Sequence, residues 1–180
     1  MAKYIVILLL IVIFLREKQR SSTVSIQSLN AIGEIYNKPT AIDTLLQMMA
    51  QEGIQFPIVA LAQSILETGS YSSFIYDQNN NCFGMKHNSR GYSEGEKNGH
   101  ASYKVPENSF RDYAAWQRKL VNSKNIASEE EYLRALDNLP SPPWKQGSRY
   151  AEDPQYTNKL RGIMKEIRRI RSAPSNGNHK

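Results

Sequence analysis

Carboxylates, phenols and amides must carry whatever chemistry this chain does, because its thiols and imidazoles are too few and too scattered. Cys82 is the single cysteine, so no internal disulfide and no CxxC redox or metal pair can form, and a buried thiol is expected there. His87, His100 and His179 are the only histidines. They form no HExxH-like pair, and neither a metal nor another cofactor is expected. Among the acids, Glu67 stands out by position: it follows Ile65 and Leu66 at the end of an apolar-striped segment closed by Gly69. A carboxyl there meets the unpaired carbonyls of a helix C-terminus and poor solvation, and both disfavour its ionised form. A protonated carboxyl is what general-acid catalysis needs. Glu94 and Glu96 form a second set, two residues apart and so on one face of any strand that carries them.

The elements that must position these groups can be read from periodicity. A helix is expected over Ala41–Glu52, with Ile42, Leu45, Leu46 and Met49 at helical spacing, Thr40 and Asp43 suited to capping, and Gly53 to the stop. A second runs from Pro57 to Gly69, with the stripe Ile58, Leu61, Ala62 and Ile65 and with Leu66 at its edge. Glu67 falls off that stripe, on the face of Ala60, Gln63 and Ser64, bordering the core. Between Ser70 and Val105 the helical period disappears and turn residues dominate. Asn98-Gly99 predicts a two-residue hairpin pairing Lys97 with His100, Glu96 with Ala101 and Glu94 with Tyr103. Tyr92, Glu94 and Glu96 would then share a face with Ala101, Tyr103 and Val105.

Helical spacing returns at Ser109, where Ser109 and Asp112 suit a capping box, and continues through Tyr113, Trp116, Gln117 and Leu120, with Trp116 in the core. A short helix follows from Ser128, with Glu131 three residues on, and ends at Pro140. Ser141-Pro142-Pro143-Trp144 and Gly147 force an irregular loop. The last helix opens at Asp153-Pro154 and carries Tyr156, Leu160, Ile163, Ile167 and Ile170 in register. Without repeats or strand–helix alternation, the pattern excludes a doubly wound sheet. It predicts an α+β, mostly helical domain with a small β lobe.

Four blocks in order, Ala60–Gly69 (ALAQSILETG), Asn80–Lys86 (NNCFGMK), Ser109–Gln117 (SFRDYAAWQ) and Tyr150–Leu160 (YAEDPQYTNKL), resemble glycoside hydrolase family 73. That family contains peptidoglycan β-N-acetylglucosaminidases, including the wall-hydrolysing domain of flagellar rod assembly proteins. The resemblance spans about Thr40 to Ile170 and implies a lysozyme-like helical lobe beside a β-hairpin lobe. It implies Glu67 as the catalytic acid, and Tyr150 as a phenol that lines the site and positions substrate or water. The NNCFGMK block resembles the family's N-x-F-G-I-K segment along the cleft, where Phe83 can wall the site and Gly84 admits a close backbone approach. Gln63, Asn81, Phe83, Gly84 and Tyr156 are taken with these as substrate-side residues, although Tyr156 also falls in register with the core positions Leu160 and Ile163. Trp144, in its Pro-rich loop, is the tryptophan better placed to stack on a sugar.

The family's second acid does not align unambiguously, so Glu94 and Glu96 both stay open. A nucleophile about 5 Å from the acid, a base at about 6.5–9.5 Å acting through water, or the substrate's own acetamido group could complete the reaction. The expected function is cleavage of β-1,4 bonds after N-acetylglucosamine in peptidoglycan glycan strands. A lytic transglycosylase and a non-catalytic wall-binding or assembly module are the alternatives.

A length of 180 residues suits one compact domain with short extensions. Apolar residues at 40% and charged residues at 22% leave enough hydrophobic matter for a core. Lys and Arg outnumber Asp and Glu by 23 to 17, partly through the flanks (Arg16, Lys18, Arg20; Lys165, Arg168, Arg169, Arg171), which favours anionic partners. No aromatic-interleaved basic motif points to nucleic acid. Tyr4–Leu15 is an unbroken apolar run between Lys3 and Arg16. As a helix it would reach about 18 Å, short of a hydrocarbon core of roughly 30 Å, so it reads as a signal peptide or as a snorkelling anchor, and either places the domain outside the cytoplasm. The expected layout is signal or anchor over residues 1–20, linker over 21–39, the glucosaminidase-like domain over 40–171 and a disordered tail over 172–180, the whole acting as a monomer.

Overall fold

The computed structural model describes residues 39–139 and 148–172. The apolar N-terminal segment, most of the linker, Trp144 and residues 173–180 of the expected tail lie outside them, while Ser172 belongs to the last helix. Among the described residues six helices and one two-stranded sheet follow in order: α1 (Pro39–Gln51), α2 (Pro57–Glu67), α3 (Phe74–Asn79), β1 (Gly95–Lys97), β2 (His100–Ser102), α4 (Pro106–Lys124), α5 (Glu129–Asp137) and α6 (Tyr156–Ser172). The α+β, mostly helical architecture with a hairpin lobe is the one expected. Among the described residues no helix is long and apolar enough to cross a membrane.

Helix α2 is the centre of the helical lobe, packed against α1 and α6, while α6 also meets α1 and α5. Its surroundings correct the expectation of a one-sided stripe. Every residue from Val59 to Ile65 is buried, Gln63 and Ser64 included. A helix enclosed on all sides can hold polar residues only where each finds a partner. Here phenols supply them: Ser64 Oγ donates to the Tyr71 hydroxyl at 2.9 Å, and Gln63 Nε2 donates to the Tyr156 hydroxyl at 3.2 Å. The face carrying Glu67 is therefore inside the protein for most of its length.

Three of the described helices start on proline, α1 among them. Pro57 and Pro106 each open a helix after a non-helical residue, Phe56 and Val105, as expected for a residue whose missing N–H costs nothing there. For α4 this moves the start three residues ahead of Ser109. Ser109 and Asp112 are not a capping box but fully buried acceptors of long-range bonds, Ser109 Oγ receiving the Cys82 N–H at 3.0 Å. Ser128 and Glu131 do form the capping box expected of α5. The last helix begins at Tyr156, later than Asp153-Pro154, because Asp153 Oδ1 accepts the Gln155 N–H at 2.8 Å and holds a turn ahead of it. Helix α1 opens at Pro39, slightly ahead of the start expected near Thr40.

The stretch expected to lack helix contains α3, whose N-cap Ser73 accepts the Tyr76 N–H at 3.2 Å and whose C-cap Asn80 is left-handed. Six residues give too few periods to announce a helix. The hairpin has the expected register, Lys97 with His100 and Glu96 with Ala101, turned by Asn98 (φ +54°) and Gly99 (φ +70°). Burial splits the face predicted to be shared: Ala101 and Tyr103 are buried, whereas Tyr92, Glu94 and Glu96 are exposed. Ala101 is drawn inward because its N–H donates to the Met85 carbonyl at 2.9 Å and its own carbonyl receives Asn81 Nδ2.

Candidate active site

Glu67 is the last residue of α2, and the chain turns sharply after it. The Ser70 N–H reaches back to the Ile65 carbonyl (2.8 Å) and the Gly69 N–H to that of Leu66 (3.4 Å), the Schellman pattern of a helix closed by a left-handed residue. Three consecutive residues are left-handed, Gly69 (φ +55°), Ser70 (φ +59°) and Tyr71 (φ +63°). Only the first is a glycine, so the turn holds strain of roughly 1 kcal/mol for each of the others. Thr68 offsets it: its hydroxyl donates to the Ser64 carbonyl at 2.6 Å and accepts the Tyr71 N–H at 2.8 Å. The effect is to fix the end of α2, and with it the Glu67 backbone.

A cleft of about 510 Å³ opens at that end, walled by Phe83, Gly84 and Met85, by Lys86, His87, Asn88 and Arg90, and by Trp116 and Tyr150. Glu67 is the one carboxylate among its described lining residues. Gly84 is left-handed (φ +62°), and a β-carbon there would stand 3.3 Å from Oε2 of Glu67. A β-carbon at that distance would make the carboxyl give by a few tenths of an ångström, and the left-handed backbone favours glycine there.

The other carboxylate oxygen ends a chain of hydrogen bonds that runs through the core. The Tyr156 hydroxyl donates to Glu67 Oε1 at 2.8 Å and accepts from Gln63 Nε2, whose own Oε1 accepts from the Tyr113 hydroxyl. Tyr113 and Tyr132 are bonded through their hydroxyls at 2.8 Å. With the Gln63 amide presenting Oε1 to Tyr113 and Nε2 to Tyr156, and one proton on each phenol, the order follows: Tyr132 gives to Tyr113, Tyr113 to Gln63, Gln63 to Tyr156 and Tyr156 to Glu67. With Oε1 committed as an acceptor, the carboxyl proton belongs on Oε2, the oxygen beside Gly84 on the cleft. Burial holds the Glu67 carboxyl above its ordinary 4.5, against the opposing effects of the Tyr156 bond and the charge of His100.

The remaining residues singled out in the sequence divide into two groups. Phe83, Gly84 and Tyr150 line the cleft with Glu67. Phe83 stacks on Tyr113 with ring centroids 3.9 Å apart, and the Tyr150 hydroxyl donates to the Phe83 carbonyl at 3.2 Å while its ring meets Trp116 edge-on. Burial, with the nearby Glu67 charge second, pushes the Tyr150 phenol well above its usual value, so it acts as a neutral donor. Gln63, Asn81 and Tyr156 are buried behind that surface. Asn81 spends its side chain on the turn, giving Nδ2 to the Met85 and Ala101 carbonyls and taking the Phe83 and Met85 N–H groups on Oδ1. Glu94 and Glu96 sit exposed on the hairpin and are not among the residues lining the cleft. Trp144 lies outside the described residues. Trp116, expected in the core, is buried and also lines the cleft.

Sequence reasoning missed the wall beyond Lys86, that is His87, Asn88 and Arg90, and its support. Asp112, fully buried, accepts from the Tyr103 hydroxyl at 2.6 Å, from Asn88 Nδ2 at 3.2 Å and from Arg90 Nε. No periodicity marks such a loop, and its anchor resembles a cap in the sequence. Among the described residues no group of three or more His, Cys, Asp or Glu side chains could hold a metal ion.

The profile of the family described as mannosyl-glycoprotein endo-beta-N-acetylglucosaminidase matches residues 42–169. No curated protein matches the chain. Among solved structures, the chain is similar to the catalytic domain of the autolysin Auto from Listeria monocytogenes, at 18% identity and a TM-score of 0.48, covering 87% of this chain and 96% of that one.

Proposed function

The chain belongs to the glucosaminidase family, glycoside hydrolase family 73, and from that premise we propose that it is an exported peptidoglycan hydrolase. It cuts the β-1,4 bond after N-acetylglucosamine with Glu67 as general acid. What carries this reading is the asymmetric environment of one carboxyl, with Oε1 fixed as acceptor by Tyr156 and Oε2 beside Gly84 on the cleft. A leaving glycosidic oxygen takes the proton from Oε2, and Tyr156 then remains to stabilise the carboxylate through Oε1. Tyr150 orders the opposite wall and offers its ring to a sugar face.

The group that meets the anomeric carbon is a hairpin carboxylate, Glu94 or Glu96, brought over with substrate, or the acetamido oxygen of the sugar itself. That Glu67 is the only carboxylate among the described lining residues favours the acetamido route, and equally a lytic transglycosylase, which also needs one acid. The apolar Tyr4–Leu15 segment is proposed to deliver the domain to the envelope, as a signal or an anchor.

A zymogram on purified sacculi, wild type beside Glu67→Gln, tests the assignment. Clearing by the wild type and none by the variant is expected, and equal clearing by both removes Glu67 from the mechanism. Mass spectrometry of the released muropeptides separates the two reactions: reducing N-acetylglucosamine ends are expected, and anhydro-muramic ends would replace the hydrolase with the transglycosylase.

A further inference from the structure

The cleft carries a built cationic wall that acid catalysis at Glu67 does not use. The cations Lys86 and Arg90, with His87 between them, line it together with Glu67. The loop is held in place by its own hydrogen bonds. Asn88 Nδ2 donates to the Lys86 carbonyl at 2.9 Å and to Asp112 Oδ2, Asn88 Oδ1 accepts the Arg90 N–H at 2.8 Å, and His87 Nδ1 pairs with Ser93 Oγ at 2.8 Å. Asp112 engages Arg90 through Nε only, and among the described residues no further bond is made by that guanidinium. Its two terminal nitrogens therefore remain as a fixed pair of donors, the geometry that suits a carboxylate. Lys86, tied to the Gly99 carbonyl at 2.7 Å, adds a positive charge to the same wall.

We propose that the Lys86–Arg90 wall, with Arg90 aimed by buried Asp112, is a subsite for a carboxylate carried by the glycan. The inference rests on the glycan-cleaving reading above. It makes Arg90 a specificity-determining residue and Asp112 a positioning residue. On a peptidoglycan strand the carboxylate has two sources, the lactyl acid of an unsubstituted muramic sugar and the acids of a peptide stem. A neutral strand offers neither.

Binding by the full chain carrying Glu67→Gln tests this without requiring turnover. The probes are soluble glycan strands stripped of peptide, the same strands with their carboxylates converted to amides, and strands that keep their stems. The stripped or the stem-bearing strand is expected to bind about tenfold tighter than the amidated one, the size of one charge-assisted contact, and the tighter of the two names the carboxylate. Adding Arg90→Gln should bring the carboxylate-to-amide ratio close to one, and adding Arg90→Lys should restore part of it. Because Arg90 supports buried Asp112, Lys86→Gln on the exposed side of the wall serves as a second variant and should lower the ratio with an unchanged thermal melt. Equal binding of carboxylate and amide strands, or a ratio that survives both Arg90→Gln and Lys86→Gln, overturns the proposal. A charge-dependent ratio with no cleavage by wild type would instead overturn the hydrolase reading and leave the subsite standing.

Discussion

Gly84 closes against Glu67: a β-carbon at residue 84 would lie 3.3 Å from the carboxyl Oε2, tighter than an ordinary contact, in a backbone conformation with φ at +62°. Gly84→Ala should therefore be worse than an ordinary loop substitution. We expect about 1–2 kcal/mol of lost stability from the left-handed backbone, and a loss of activity of at least about tenfold from displacing the acid. Thermal melts and turnover on sacculi, measured together, check whether the activity loss exceeds the stability loss.

The raised pKa of Glu67 links its ionisation to folding. Its folded-state value lies above the unfolded one, so the stability it contributes is full below the ordinary carboxylate value and is lost as pH rises through the folded value. Glu67→Gln cannot lose it. The melting temperature of the variant minus that of wild type should grow with pH across that window and level off above it, and a flat difference would contradict the burial of a protonated acid. Activity of the variant should fall by about 10²–10⁴-fold.

Tyr156→Phe removes the one hydrogen bond that favours ionised Glu67. The acid should then titrate at still higher pH, and the alkaline limb of the pH–rate profile should move upward. Gln63 Nε2, buried and bonded to that hydroxyl, loses its partner, at a cost of about 1–3 kcal/mol. Chemical denaturation measures the second effect and the rate profile the first.

Asp112→Ala strips a buried carboxylate from Arg90, Asn88 and Tyr103 at once. The expected destabilisation is about 3–5 kcal/mol, as when one member of a buried ion pair is deleted, and denaturant titration reads it directly. Ser128→Ala, which removes the α5 cap on the surface, should cost only about 1 kcal/mol.

Local chemistry was legible in the sequence where short-range spacing decides the structure. Leu160 and Ile167 announce α6, Asn98-Gly99 announces the hairpin and its register, and Ser128 with Glu131 announces a cap. Ser109 and Asp112 show the limit, because the same spacing serves a cap or two buried acceptors, and only Cys82, Arg90 and Tyr103, distant in sequence, decide which. Glu67 could be placed at a helix end from its neighbours. That its face of α2 is sealed, and that Gln63 and Tyr113 order the protons leading to it, depends on partners 50 and 93 residues from Gln63. Tyr156 was pulled two ways for the same reason: its register says core and its hydroxyl reaches the carboxyl, and both are true of one side chain.

The bond between Tyr156 and Glu67 joins residues 89 positions apart. Helix α6 supplies both that phenol and much of the apolar cover of α2. A chain ending before residue 156 would therefore keep Glu67 but lack both that phenol and the α6 cover of its helix. The environment that raises the Glu67 carboxyl is thus a property of the domain from α2 to α6 taken together, and of no shorter stretch of it.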